Sequence, residues 1–219
     1  MLASYTARGN NKGLKMLDIH LPEGMRDALP RDWRDLGDIT GEAFVEDPVN
    51  LWIFGQPEPL KPVFSLLARH LYLTNGICHM AGDAGATMWC LSDRRKELGP
   101  VPTLALVWTL MRQGSKGAAK RGMMAGETMA REHPRDPHLY LFTIGTRKAA
   151  RGKGLGKQLI TPMLMAADKA RLPCYLENSN PANSGFYMSH GFERMKLFEP
   201  GPGAPPLEAM WREPKGLYV

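Results

Sequence analysis

Residues 150–159 read ARGKGLGKQL, with three glycines and three cations in ten positions. Gly152, Gly154 and Gly156 alternate with Arg151, Lys153 and Lys157 just before an apolar helical pattern. Glycine opens a helix poorly unless its backbone must come close to something. The cations indicate that this something is anionic. A strand, a glycine turn and a helix N-terminus together form an anion site: unbonded N–H groups point outward and the helix dipole favours negative charge. Arg151, Lys153 and Lys157 would add charge-assisted bonds. Two phosphate-binding signatures fail here. A P-loop needs glycine in place of Arg151 and serine or threonine in place of Gln158, and the dinucleotide fingerprint needs glycine in place of Lys157. A flexible turn with a solvated charge cluster is the alternative reading of the loop taken alone.

Elements on both sides must position this loop. HLYLFTIGT, 138–146, carries Leu139 and Leu141 on one alternating face and Tyr140, Phe142 and Ile144 on the other, the mark of a central strand covered on both sides. A helix from about Gly154 to Arg171 follows, with Leu155, Leu159, Met163, Leu164 and Ala167 as its apolar positions. Pro162 inside it removes a backbone bond at a cost of roughly 3 kcal/mol, so a bend is expected. PCYLENS is the next strand, NPANSGFYMSHG a short helix closed by Gly191, FERMKLFE a strand, PGPGAPP a turn and LEAMWRE a last strand.

Earlier in the chain, residues 1–13 read as a flexible arm. LKMLDIHLP suits a first strand, with Leu17, Ile19 and Leu21 alternating. Residues 31–45 form a helix with Trp33, Leu36, Ile39 and Phe44 roughly on one face, and Asp47-Pro48 stops it. A second helix runs from about Leu60 to Leu73. GICHMAG and GATMWCLS form a hairpin around Gly82-Asp83, and 99–136 holds two helices inserted between strands. The order is mixed α and β, with strands meeting both as hairpins and across helices.

The loop and the segment after it, taken together, resemble the GNAT superfamily of N-acetyltransferases. Arg151-x-x-Gly154-x-Gly156 matches the superfamily's acetyl-coenzyme A loop, [RQ]-x-x-G-x-[GA] after the fourth strand. NPANSGFYMSHGF then matches its Asn, aromatic-Tyr and Gly-Phe positions with Asn180, Asn183, Phe186, Tyr187, Gly191 and Phe192. The resemblance is strong over 138–193 and extends by element order from residue 14 to the end. It departs at Thr146-Arg147-Lys148, where the family often has proline.

The resemblance implies an α/β (α+β) fold: a twisted mixed sheet of six or seven strands flanked by helices on both faces, in one acetyltransferase domain over 14–219. It implies direct acetyl transfer from acetyl-CoA to a primary amine, without metal or covalent enzyme intermediate. The pantetheine arm would pair with the strand near Ile144, Gly145 and Thr146, with N–H groups around Thr143–Gly145 polarising the acetyl carbonyl. Arg151, Gly152, Lys153, Gly154, Leu155, Gly156 and Lys157 would hold the phosphates. Tyr187 matches the proton donor to the leaving sulfur; its other reading is an aromatic packed beside Phe186. Glu177 matches a general base used by some members; otherwise it is a polar residue at a strand end. Asn180 and Asn183 are helix-capping residues, cofactor contacts, or both. Trp52, Phe54 and Trp89 read as core rather than acceptor pocket, and the histidines read as structural.

The 219 residues, 43% hydrophobic and 23% charged with net charge +6, suit a globular chain with one good-sized core. Cys78, Cys90 and Cys174 show no CxxC spacing, and the histidines no HxxxH pair, so no disulfide framework or metal site is expected and a cytoplasmic location fits. The N-terminus lacks a signal peptide's apolar region, and Leu104–Met111 is too short to span a membrane. Scattered cations without interleaved aromatics argue against a nucleic-acid partner. A small-molecule amine is the expected acceptor, with a protein lysine or N-terminus as the rival. A non-catalytic acyl-CoA-binding regulatory module is the reading from another class, and homodimerisation is left open.

Overall fold

The computed structural model describes residues 17–94 and 97–216. The arm expected at 1–13 lies outside the described residues. Seven strands form one mostly antiparallel sheet in the order β1-β2-β3-β4-β5-β7-β6. They are β1 (Met25–Asp27), β2 (Ile77–Ala81), β3 (Gly85–Leu91), β4 (Leu139–Thr146), β5 (Cys174–Asn178), β6 (Glu193–Phe198) and β7 (Leu207–Arg212). The glycine loop follows β4, the middle strand. No helix among the described residues is long and apolar enough to cross a membrane.

Two apolar layers cover the sheet. One is built from α1 (Trp33–Ala43), α2 (Pro48–Phe54), α3 (Leu60–Leu67), α4 (Leu73–Asn75) and the inserted pair α5 (Pro100–Gln113) and α6 (Ala118–Glu132). The other is built from α7 (Leu155–Ala170) and α8 (Ser184–Ser189). Helix α7 runs through the buried Pro162 as a single element. Helix α5 buries Leu110 but leaves Val101, Leu104, Trp108 and Met111 exposed. Helix α1 lies close to β4, because a Cβ on Gly145 would stand 2.8 Å from that of Ala43.

Four expectations need correction. The first strand expected from LKMLDIHLP lies outside the described residues at 14–16, and Leu17–Pro22 pairs with no strand. Leu17 packs into the α7 layer, and the chain turns at Pro22 and Gly24 (φ +82°) before the sheet begins at Met25. Asp47-Pro48 stands past the end of α1, as expected, but also starts a helix that the sequence reading lacked: the Asp47 carboxylate accepts from Asn50 N–H at 2.9 Å and Pro48 is the first residue of α2. The helix expected to Leu73 widens at Ala68–Tyr72 into a five-residue π-turn. Finally, Ile144 packs in the α7 layer, not beside Phe142. Residues 88 and 89 of β3 face 143 and 141 of β4, so Phe142 is an extra residue, a β-bulge that exchanges the faces of everything after it.

Candidate active site

Strands β4 and β5 pair in parallel only through Leu139, Tyr140 and Leu141. Beyond that point they splay, at the same place as the bulge. From Phe142 onward, the β5-facing edge of β4 carries no strand. The gap opens into a cavity of about 870 Å³ that passes between the two layers. Its walls include Ile144, Gly145 and Thr146 from β4, the loop residues Arg151, Gly152, Gly154, Leu155, Gly156 and Lys157, and Glu177, Asn180, Asn183 and Tyr187. Of the residues assigned from the sequence to co-substrate binding and chemistry, Lys153 alone is not on this wall, and it is exposed.

The loop end is made of backbone. Gly152 and Gly154 adopt φ of +75° and +77°, a conformation that L side chains resist. Gly154 caps α7, and the first intrahelical bond runs from Gln158 N–H to Gly154 C=O at 3.1 Å. The N–H groups of Leu155, Gly156 and Lys157 therefore have no helical acceptor and face the cavity end-on. Arg151 is partly occupied: its guanidinium donates to the Ala43 carbonyl at 3.1 Å and stands 4.0 Å from Glu46. Arg147 and Lys148 are tied to Glu42, with Arg147 also on the Asp83 carbonyl, and so serve the α1 junction rather than the loop. These features suit a pyrophosphate, and the bare edge of β4 suits an extended amide-bearing arm. Thr143 Oγ1, buried beside that edge, has no partner among the described residues.

The opposite end is made of side chains. Glu177, 1% exposed, accepts from the Tyr140 hydroxyl at 2.6 Å and stands 3.5 Å from His133 Nδ1. Burial, then the Glu177 charge, holds the Tyr140 hydroxyl far above the ordinary phenol range, so it remains a donor. Around this carboxylate the walls are apolar, with Phe64, Leu67, Leu106, Leu110 and Phe142 among them. Phe142 stacks on Tyr72 with ring centroids 4.3 Å apart.

Tyr187 and Asp47 stand between the two ends. Tyr187 is buried on the cavity wall, and burial, followed by the Asp47 carboxylate, pushes its hydroxyl upward. It is thus protonated at neutral pH, as a proton donor must be. Asp47 is itself raised by burial, against bonds from Ser179 and Asn50 that lower it. Asn180 accepts from Ala182 N–H at 3.0 Å and caps its turn, while Asn183 begins α8 without a side-chain cap bond. Phe54 lines the cavity; Trp52 and Trp89 do not, and Trp89 is fully buried core.

Sequence reasoning missed Tyr140, His133 and His138. Tyr140 looked like one more apolar position on a strand face. The histidines stand five apart across the end of α6, a spacing that no helix or strand period picks out. Among the described residues, no group of three His, Cys, Asp or Glu could hold a metal ion.

Residues 111–194 match the family model described as an acetyltransferase (GNAT) domain. The fold is similar to that of a structure described as histone acetyltransferase HPA2 and related acetyltransferase from Corynebacterium glutamicum, with TM-score 0.66 and 24% identity over 89% of this chain and 98% of that one. The C-terminal condensation domain of Ebony, solved in complex with beta-alanyl-dopamine, matches with TM-score 0.59 and 13% identity over 90% of this chain and all of that one. Arylalkylamine N-acetyltransferase 2 from Aedes aegypti matches with TM-score 0.54 and 15% identity, over 87% of this chain and 98% of the other.

Proposed function

From the premise that this chain carries a GNAT acetyltransferase domain, we propose that it moves an acetyl group from acetyl-CoA directly to the primary amine of a small molecule. The observation that carries this reading is the cavity itself. It joins a backbone anion cradle at the start of α7 to a buried carboxylate through a gap at the bared edge of β4.

The N–H groups of Leu155, Gly156 and Lys157 hold the phosphates, with Lys157 and the unoccupied side of Arg151 adding charge. Gly152 and Gly154 give the loop its path. Ile144, Gly145 and Thr146 pair with the pantetheine arm, and N–H groups of Thr143–Gly145 polarise the acetyl carbonyl. Acetyl-CoA supplies the activated acyl group as a thioester. Tyr187 protonates the departing sulfur, and Glu177 takes the proton of the incoming ammonium. Asn180 shapes the turn that carries Asn183 to the wall, where it contacts the co-substrate. The apolar walls around Glu177 favour an acceptor with one amine on an uncharged body. A second ammonium set among those apolar walls would be desolvated, which is costly.

Coenzyme A release, measured across arylalkylamines, alkylamines, polyamines, aminoglycosides and lysine peptides, tests this. Turnover is expected with single amines on apolar bodies. Tight acetyl-CoA binding with transfer to none of them would leave a binding module and overturn the proposal.

A further inference from the structure

Behind Glu177 stand two imidazoles that do not line the cavity. His133 caps the C-terminus of α6 and reaches across the start of the sheet. Its Nδ1 lies 3.5 Å from Glu177 Oε1 and its Nε2 lies 3.0 Å from His138 Nε2. His138 Nδ1 in turn lies 2.7 Å from the Asp136 carbonyl. Tyr175 and Trp211 enclose His138, and Tyr140 and Tyr175 stand edge-on to His133.

The partners assign the hydrogens. A carbonyl oxygen only accepts, so His138 Nδ1 donates. Neutral His138 then accepts at Nε2, and His133 donates from its own Nε2. That tautomer presents the His133 Nδ1 lone pair to Glu177 Oε1, while Oε2 is engaged by the Tyr140 hydroxyl. Two acceptors face each other, and the position between them takes one proton.

The geometry points to Glu177 and His133 acting as one proton-accepting unit, with His138 fixing its tautomer, that strips the acceptor's ammonium and passes the proton to solvent. This rests on the acetyltransferase reading. In the step, one N–H bond of R–NH3+ breaks and its electron pair stays on nitrogen as the nucleophile. The proton enters the Oε1–Nδ1 position. Ammonium and thioester yield amide, thiol and one proton, so one proton must leave per turnover. His133 supplies the exit, its side chain being 15% exposed where that of Glu177 is 1% exposed. Glu177 touches the acceptor; His133 and His138 act through it and are positioning residues.

The other groups facing this unit hold their charge states. Tyr72, Tyr140 and Tyr175 are pushed upward chiefly by burial and then by neighbouring charges that include Glu177, so they stay neutral. Glu132, held low by Lys196 and Arg131, stays ionised.

His133→Asn and His133→Gln each keep a hydrogen-bonding amide near one ring nitrogen but cannot titrate. Both are expected to lower kcat at pH 7 by about ten-fold or more, a fraction of full general-base catalysis, with KM for acetyl-CoA unchanged. The acid limb of kcat/KM should move in both variants, because the proton-accepting unit has lost one of its two acceptors. Acid limbs left at the wild-type position in both variants would overturn the inference. Ring 15N shifts of the substrate-free wild type read the wiring without activity: Nδ1–H on His138 and Nε2–H on His133 above the titration. The opposite tautomers would also overturn it. If the wild type acetylates no amine, the proposed function fails while the shifts still decide the wiring.

Discussion

The two ends of the cavity solve the same problem, recognition of charge, with opposite materials. At the loop end the donors are backbone N–H groups of consecutive residues, and the positive field comes from a helix terminus. At the acceptor end the groups are side chains of Glu177, Tyr140 and His133, brought from β5, β4 and the end of α6. The loop end needs only local geometry and tolerates imperfect cations, since Arg151 is half engaged elsewhere and Lys153 is exposed and off the cavity wall. The acceptor end needs three elements in register. Recognition of a constant partner can be written in one short segment; the chemistry that accepts a variable one is distributed.

This contrast can be broken at several points. Tyr187→Phe sits where the ends meet and should cost most. The general-acid role proposed for Tyr187 predicts a fall in kcat of about 10²–10⁴-fold with KM for acetyl-CoA little changed, read by steady-state kinetics. A fully active variant would remove Tyr187 from the chemistry. Glu177→Gln should lower kcat/KM for the amine by about a hundred-fold while leaving acetyl-CoA affinity by calorimetry within about two-fold. Equal damage to both would mean that the ends are not separable. Gly145→Ala inserts a methyl into the α1–β4 contact and should cost about 1–3 kcal/mol, seen as a thermal midpoint lowered by several degrees. Smallest are the lysines. Lys157→Ala should weaken coenzyme A binding by about two- to five-fold at low salt, the worth of an exposed ion pair, and leave a dephosphorylated pantetheine fragment unaffected. Lys153→Ala should change neither; a loss as large as that of Lys157→Ala would mean that the loop turns over on binding.

Legibility followed the same division. The glycine loop, the helix after it and the hairpin around Gly82-Asp83 were readable because their signals are local: positive φ, a helix start, alternation. The central position of β4 was readable from its two apolar faces. The splay of β4 from β5 was not, since pairing that stops leaves no mark on either sequence. The place of Glu177 was visible as a strand position opposite Leu176, but its companions were not. Tyr140 hid in an apolar pattern, and His133 acquires a neighbour only through a helix pair inserted between strands. Lys153 was read from composition, which counts cations without giving their direction.

The bulge at Phe142 has one more effect, best seen as a shift of phase. Before it, odd-numbered residues of β4 face the α7 layer; after it, even-numbered ones do. Deleting that residue would nevertheless leave the frame intact: Thr143 would follow Leu141 in unbroken alternation, and residues 143–146 would keep the faces they have. The offset lies in the numbering, and the step of the strand does not depend on the residue that makes it. What the deletion would remove is the ring stacked on Tyr72 and the local bend of the strand, so one end of the cavity would lose part of its wall while the other kept its beat.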